Sequence, residues 1–255
     1  MSRGIDLAGR QTWSAAGYDA HARFVSDLAG PALEWLAPKP GERILDLGCG
    51  DGAVTAALRD MGVDIVGVDT SEQLLAAARA RNLDVRAMDG QALEFASEFD
   101  AVFSNAALHW MTRPEAVVDG VYRALRNRGR FVAEFGGHGN VAAIVTAMRA
   151  TARRIGGEPA LAGPWFFPTP EIYGEMLEKA GFEVRRIDLF PRPTPLKSGM
   201  KEWLKVFRLP FFEQYGARMD EVLDEVEELL RPTLCDARGN WTADYVRLRV
   251  EAAKR

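Results

Sequence analysis

The stretch from Arg43 to Ala53, Arg-Ile-Leu-Asp-Leu-Gly-Cys-Gly-Asp-Gly-Ala, constrains the fold more than any other part of the chain. Ile44, Leu45 and Leu47 form a short apolar run that stops at a glycine, the pattern of a central parallel strand covered on both faces. Val54 to Arg59 then reads as helix. Gly48, Gly50 and Gly52 give the turn between them backbone angles closed to other residues, and let a ligand approach without striking a β-carbon. The helix behind the turn aims free N–H groups at that ligand.

Two ligand classes fit such a turn, beside the plain alternative of a tight turn with no ligand. Gly-Cys-Gly-Asp-Gly-Ala satisfies the dinucleotide fingerprint G-x-G-x-x-G/A, with Asp69 about the right distance downstream for a ribose hydroxyl. Asp46 tilts the balance. A carboxylate at the mouth of the strand repels a pyrophosphate but holds an ammonium group, and S-adenosylmethionine (SAM) carries an α-amino group and no phosphate.

At 255 residues the chain suits one enlarged α/β domain with an insertion. Its net charge of −4 argues against nucleic-acid binding, which needs a concentrated basic face. The densest basic group, Arg123, Arg126, Arg128 and Arg130, reads as a solvated helix end. Two cysteines, one of them Cys49 inside the glycine turn, make no disulfide framework and point to reduced cytoplasm. Cys49 is read as a small residue fitting beside the glycines. No apolar run reaches bilayer length and no signal-peptide pattern opens the chain. The expectation is therefore a cytoplasmic protein, a monomer or weak homodimer, with no nucleic-acid or membrane partner and no metal.

In chain order, residues 11–36 read as a helical preamble, interrupted at Gly30-Pro31, that can fold over the glycine turn as a lid. Tyr18 on it is a candidate ligand contact or an ordinary packing residue. Asp64 to Asp69 is a second buried strand ending in an acid placed for both ribose hydroxyls, and Thr70 or Ser71 can cap the next helix. Leu83 to Met88 is a third strand, followed by Asp89-Gly90-Gln91, either a simple turn or an acid for an adenine amine. Phe99 to Asn105 is a fourth strand with Ala106 to Met111 at its carboxyl end, and Gly129 to Phe135 a fifth, after which Gly136 to Asn140 opens. Helices follow at Val141 to Ile155 and Pro168 to Ala180, then a sixth strand from Phe182 to Leu189.

The interval from Phe190 to Asn240 is too long for a sheet connection. It holds helical stretches at Met200 to Phe207 and Met219 to Leu230, joined by an aromatic elbow, Arg208-Leu209-Pro210-Phe211-Phe212. Tyr245 to Ala252 alternates strictly, with Arg247, Arg249 and Glu251 on one side, as in an antiparallel strand at or near a sheet edge.

Asp46 to Gly52, Asp69, Asp89-Gly90 and Ser104-Asn105-Ala106-Ala107-Leu108-His109-Trp110-Met111 arrive in the order and spacing of the class I SAM-dependent methyltransferases, which the chain resembles from Trp13 to its C-terminus. The resemblance implies an α/β, Rossmann-like seven-stranded sheet with the last strand antiparallel, helices on both faces and a helical cap. It implies a single domain over 1–255, with 11–36 as lid and 141–160 and 190–240 as cap segments. More narrowly, Ser104 to Met111, Glu134 to Asn140, and Phe167-Pro168 leading to Gly181-Phe182 are similar to trans-aconitate methyltransferase and its relatives, although residue 30 is Gly where those relatives tend to have Arg.

Carried over by position, the resemblance assigns Asp46, Gly48 and Gly50 to the methionine end of SAM, with Cys49 beside them. Asp69 and Thr70 would serve the ribose, Asp89, Gly90 and Gln91 the adenine, and Asn105 and Leu108 the sulfonium. His109 at the fourth strand's end is the candidate base, or else a structural or substrate-orienting residue. Trp110, His138, Arg208, Phe211 and Phe212 are the substrate-pocket candidates. The implied activity is methyl transfer from SAM to a small carboxylate- or hydroxyl-bearing metabolite, such as a trans-aconitate-like acid, with S-adenosylhomocysteine as product. The alternative is a SAM-binding sensor or carrier without transfer.

Overall fold

The computed structural model describes residues 29–255. Tyr18 and most of the proposed lid lie outside the described residues. Its remainder is a short helix, α1 (Gly30–Leu36), with Pro31 in its first turn, where a missing N–H costs nothing.

A seven-stranded sheet follows. Strand β1 (Arg43–Leu47) leads through the glycine turn into α2 (Ala53–Asp60), and β2 (Asp64–Asp69) into α3 (Glu72–Ala80). Then come β3 (Val85–Ala87), β4 (Phe99–Asn105), α4 (Pro114–Ala124) and β5 (Leu125–Gly136). The chain continues through α5 (Ala142–Ile155), α6 (Pro170–Lys179), β6 (Phe182–Pro191), β7 (Thr194–Pro195), α7 (Met200–Glu213), α8 (Met219–Leu234), β8 (Thr242–Ala243) and β9 (Val246–Lys254). The sheet order is β3-β2-β1-β4-β5-β9-β6, while β7 and β8 pair separately. Strands β1 to β5 are parallel, and β9 is inserted antiparallel between β5 and β6.

The two-residue period of a strand explains the layering. Leu45 and Leu47 of β1 enter one apolar layer with Val66, Val102 and the buried faces of α4 and α6. Ile44 enters the opposite layer with Ile65, Phe103 and Val132 under α1 and α2. A separate core, built from α5, α7, α8, Trp241, Ala243 and Tyr245, makes the helical cap a packed unit of its own. No helix among the described residues is long and apolar enough to cross a membrane.

Three details depart from the sequence reading. Strand β9 is antiparallel and next to the edge strand β6, as its alternation suggests, but its polar side is buried. Glu134 bonds Arg249 at 2.7 Å and Arg192 at 2.5 Å, and Arg249 lies 5.2 Å from the Trp35 ring of α1. Mutual neutralisation lets these charges stand where alternation alone suggests solvent. The elbow after Phe207 is a break at Arg208 (φ −136°, ψ 22°) and not an open loop: a second helical stretch carrying Pro210, Phe211 and Phe212 follows it directly, so that α7 is two helical pieces joined at a kink. Nor are the arginines at the start of β5 a purely solvated group, because Arg130 is held by Glu42 at 2.7 Å and by the Leu36 carbonyl.

Candidate active site

The carboxyl ends of β1, β2 and β4 and the loops after them open onto a cavity of about 450 Å³ that continues under the cap. Ligands bind at such strand ends in open α/β sheets because backbone N–H groups and helix N-termini converge there. Gly48, Gly50, Asp69, Thr70, Asp89, Gly90, Gln91 and Asn105 line one end. His109, Trp110, Asn140, Val141, Trp165, Phe167, Trp203, Phe207, Tyr245 and Arg247 line the other.

The glycines do different work. Gly48 has φ +80°, and a β-carbon there would lie 2.2 Å from that of Ala107, so its absence lets the loop after β4 close onto the turn. Gly50, at φ +55°, has nothing within 4 Å of that position, which leaves open backbone facing the cavity.

Asp69 Oδ2 accepts from the Gly50 N–H at 3.0 Å, and its Oδ1 from the Ser71 N–H at 2.8 Å, so the carboxylate ties the turn to the start of α3. Burial raises its pKa, and the backbone donors at Ser71, Gly50 and Thr70 oppose that rise. Asp89 Oδ1 accepts from the Gln91 N–H at 2.9 Å, capping the single 3-10 turn Gly90–Ala92.

Several residues chosen from the sequence lie elsewhere. Asp46 is 2% exposed, does not line the cavity, and accepts from the Thr55 hydroxyl at 2.6 Å. Cys49 turns the other way, into a cluster with Leu75, Leu83 and Val85, and burial pushes its thiol pKa up. Leu108 packs in the sheet core. His138 is exposed and outside the cavity lining. Arg208, Phe211 and Phe212 are buried in the cap core behind the wall, because the kinked helix presents them to α5 and α8.

His109 reaches the cavity, with one ring nitrogen already engaged. Its Nδ1 accepts from the Gly136 N–H at 3.3 Å, which leaves the ring proton on Nε2. Burial, and secondarily the charge of Arg247, hold its pKa well below the ordinary value. The ring is therefore a neutral hydrogen-bond donor at physiological pH.

The residue that sequence reasoning missed is Arg247. It is 6% exposed, lines the cavity and lies 4.5 Å from the Tyr245 ring. The available signal was an arginine two residues after an aromatic at the start of the last strand, and antiparallel pairing of Arg247 with Gly136 sets it beside the end of β5. Tyr245 is anchored in turn by a 2.5 Å hydrogen bond from Trp203 Nε1 to its hydroxyl.

Residues 45–133 match a family described as a methyltransferase domain. An uncharacterized methyltransferase of Schizosaccharomyces pombe is 38% identical over 254 residues, covering 95% of this chain and 98% of that protein. Trans-aconitate 2-methyltransferase of Deinococcus radiodurans is 29% identical over 211 residues, covering 76% of this chain and 80% of the relative. Among solved structures, a phosphoethanolamine N-methyltransferase of Haemonchus contortus in complex with phosphomonomethylethanolamine and S-adenosylhomocysteine superposes with a TM-score of 0.57. It is 19% identical, and the match covers 90% of this chain and 52% of that one.

Proposed function

Since the chain belongs to the class I methyltransferases, enzymes that take their methyl group from SAM, we propose that its acceptor is a small organic acid, held by Arg247 in the cavity under the cap. Open backbone at Gly50 and the carboxylate of Asp69 fit the cofactor. Gly48, Gly50 and Asn105 would hold its methionine end, Asp69 and Thr70 the ribose, and Asp89, Gly90 and Gln91 the adenine. The chemistry it supplies when bound is an electrophilic methyl group on a cationic sulfur.

The observation that carries the acid reading is a buried guanidinium in the acceptor half, within a largely aromatic wall. Guanidinium groups match carboxylates in shape and charge. A second observation agrees. His109 is a neutral donor, and no carboxylate lines that half of the cavity among the described residues. A carboxylate acceptor is ionised at neutral pH and needs no base, so orienting it and excluding water are the protein's main tasks. Trp110, Trp165, Phe167, Trp203 and Phe207 supply the dry wall. The trans-aconitate enzyme among the relatives is consistent with this class of acceptor.

The test is methyl transfer from labelled SAM to a panel of small acids, phenols and amines, with wild type and Arg247→Met. Acids should be methylated. The variant should raise the acceptor KM by about 10–100-fold, the worth of a charge-assisted hydrogen bond, while S-adenosylhomocysteine affinity stays within about threefold. Exclusive transfer to amines or phenols would overturn the reading.

A further inference from the structure

The buried face of α7 carries Trp203, Leu204, Phe207, Arg208, Phe211 and Phe212, so an arginine occupies a core position among apolar side chains. Arg208 is 0% exposed. Its Nη2 donates to the Leu161 carbonyl, whereas Nε and Nη1 have no hydrogen-bond partner. Burial lowers its pKa to about 10, which still leaves it charged at neutral pH. A buried charge without a counter-charge is usually less stable than a well-packed apolar side chain of similar volume. What the guanidinium does face is Trp165, whose ring centroid lies 5.0 Å from it. Trp165 lines the cavity, stacks on Phe167 at 5.5 Å and meets Trp110 edge-on at 5.4 Å, and Phe167 lies 5.8 Å from His109. Arg208 thus sits one ring behind a continuous aromatic wall of the acceptor pocket.

We propose that Arg208 is a specificity-determining residue, set behind the Trp165 ring of the wall, whose charge favours an anionic acceptor in the cavity. The proposal rests on the acid-acceptor reading. An anion touching Trp165 from the cavity side lies about 9–11 Å from the guanidinium, adding to the centroid distance a van der Waals contact of about 4 Å and, at the ring edge, about 2 Å more. The interior between them is apolar and unscreened by salt. At an effective dielectric constant of about 20, Coulomb's law makes that attraction worth about 10–30-fold in affinity. The fold would thereby carry a destabilising charge for the sake of its acceptor, a known form of the trade between stability and activity.

The experiment compares wild type, R208M and R208K, each loaded with SAM for turnover and with S-adenosylhomocysteine for binding. The probes are the acid that wild type methylates best and its neutral amide as a competitive inhibitor. We expect R208M to melt at or above the wild-type temperature, to raise the KM for the acid about 10–30-fold, and to leave the amide's inhibition constant and S-adenosylhomocysteine affinity within about threefold. R208K, which keeps the charge, should stay within about threefold of wild type for the acid. Should R208M not fold, R208Q carries the same comparison. An unchanged acid KM in R208M overturns the proposal, as does an equal loss of acid and amide with a lowered melting temperature, which marks a packing role. Either result leaves the acid reading intact if Arg247→Met still loses the acid. If wild type methylates no acid, that reading fails and this proposal falls with it.

Discussion

Asp46→Asn tests whether the acid of the glycine turn acts on the fold or on the ligand. Asp46 is buried and accepts from Thr55 Oγ1 at 2.6 Å. Burial raises its carboxyl pKa from 3.8 to about 6, the Thr55 hydroxyl opposes the shift, and the charge of Asp69 adds to it. The native state therefore binds a proton more readily than the unfolded chain. The group's contribution is most favourable below pH 3.8 and is lost as pH rises through 6. Above that, the fold carries an ionised buried carboxylate at a cost of roughly 3 kcal/mol, from about two pKa units at 1.36 kcal/mol each. Asparagine does not titrate, so the stability of the variant relative to wild type should improve by up to about 3 kcal/mol between pH 4 and pH 7.5 and then level off. The new amide donors, buried without acceptors, subtract a constant of about 1–3 kcal/mol. For a chain this long, 1 kcal/mol shifts the melting temperature by about 2–4 °C. The difference in melting temperature should then move by about 6–12 °C across that range, read by circular dichroism melts in a pH series. A difference that stays flat or moves the other way refutes the buried charge. S-adenosylhomocysteine affinity, measured in parallel, should change by less than about threefold, and a hundredfold loss would mean that Asp46 meets the cofactor ammonium directly.

Asp69→Ala should weaken SAM by about 1–3 kcal/mol in titration calorimetry, since it removes a cavity-lining carboxylate and leaves the Gly50 and Ser71 N–H groups without their acceptor; NAD should bind neither protein, and tight NAD binding would overturn the cofactor assignment. His109→Ala should lower kcat by less than about tenfold and leave the pH–rate profile between 6 and 8 unchanged, because the neutral ring takes no proton. A loss of about 10²–10⁴ with a new dependence on pH would restore the general base.

The strand, turn and helix around Gly48 were legible because burial on both faces and positive φ leave few residue types able to serve there. Asp69 was legible for a related reason, being an acid that ends an apolar strand and can only stand at its mouth. Asp46 shows where that logic stops. It sits in the strand with Leu45 and Leu47 on either side, so the two-residue period turns it away from their layer and towards Thr55 of α2. The motif names the residue but does not give its direction. Arg208 fails by the opposite route. The aromatic elbow suggests a surface connection, yet the helical pieces on both sides of the break at Arg208 pack into one cap core, which leaves residue 208 buried between them. Arg247 was hidden by its neighbours: a strand alternating charged and apolar residues looks half-solvated until Arg249 is seen to pair with Glu134 of β5 beneath α1 and Arg247 to line the cavity.

The antiparallel setting of β9 explains why the acceptor end of the site depends on the last part of the chain. A strand parallel to β5 would deliver its C-terminal residues to the cavity. Reversed, it delivers its first ones, and the register that pairs Gly136 with Arg247 and Arg130 with Ala253 brings Tyr245 and Arg247 to the functional end. The cap elements α7 and α8 enter between β6 and β9, so the connection that ends at Tyr245 also supplies Trp203 and Phe207 to the same wall. The cofactor end, by contrast, is made by the turns after β1, β2 and β3 and shares no core cluster with the cap. On the proposed reading acceptor choice rests on residues of α5, α7 and β9 that share the cap core or line the cavity beside it, and substitutions there are expected to change which molecule is methylated without disturbing the glycine turn.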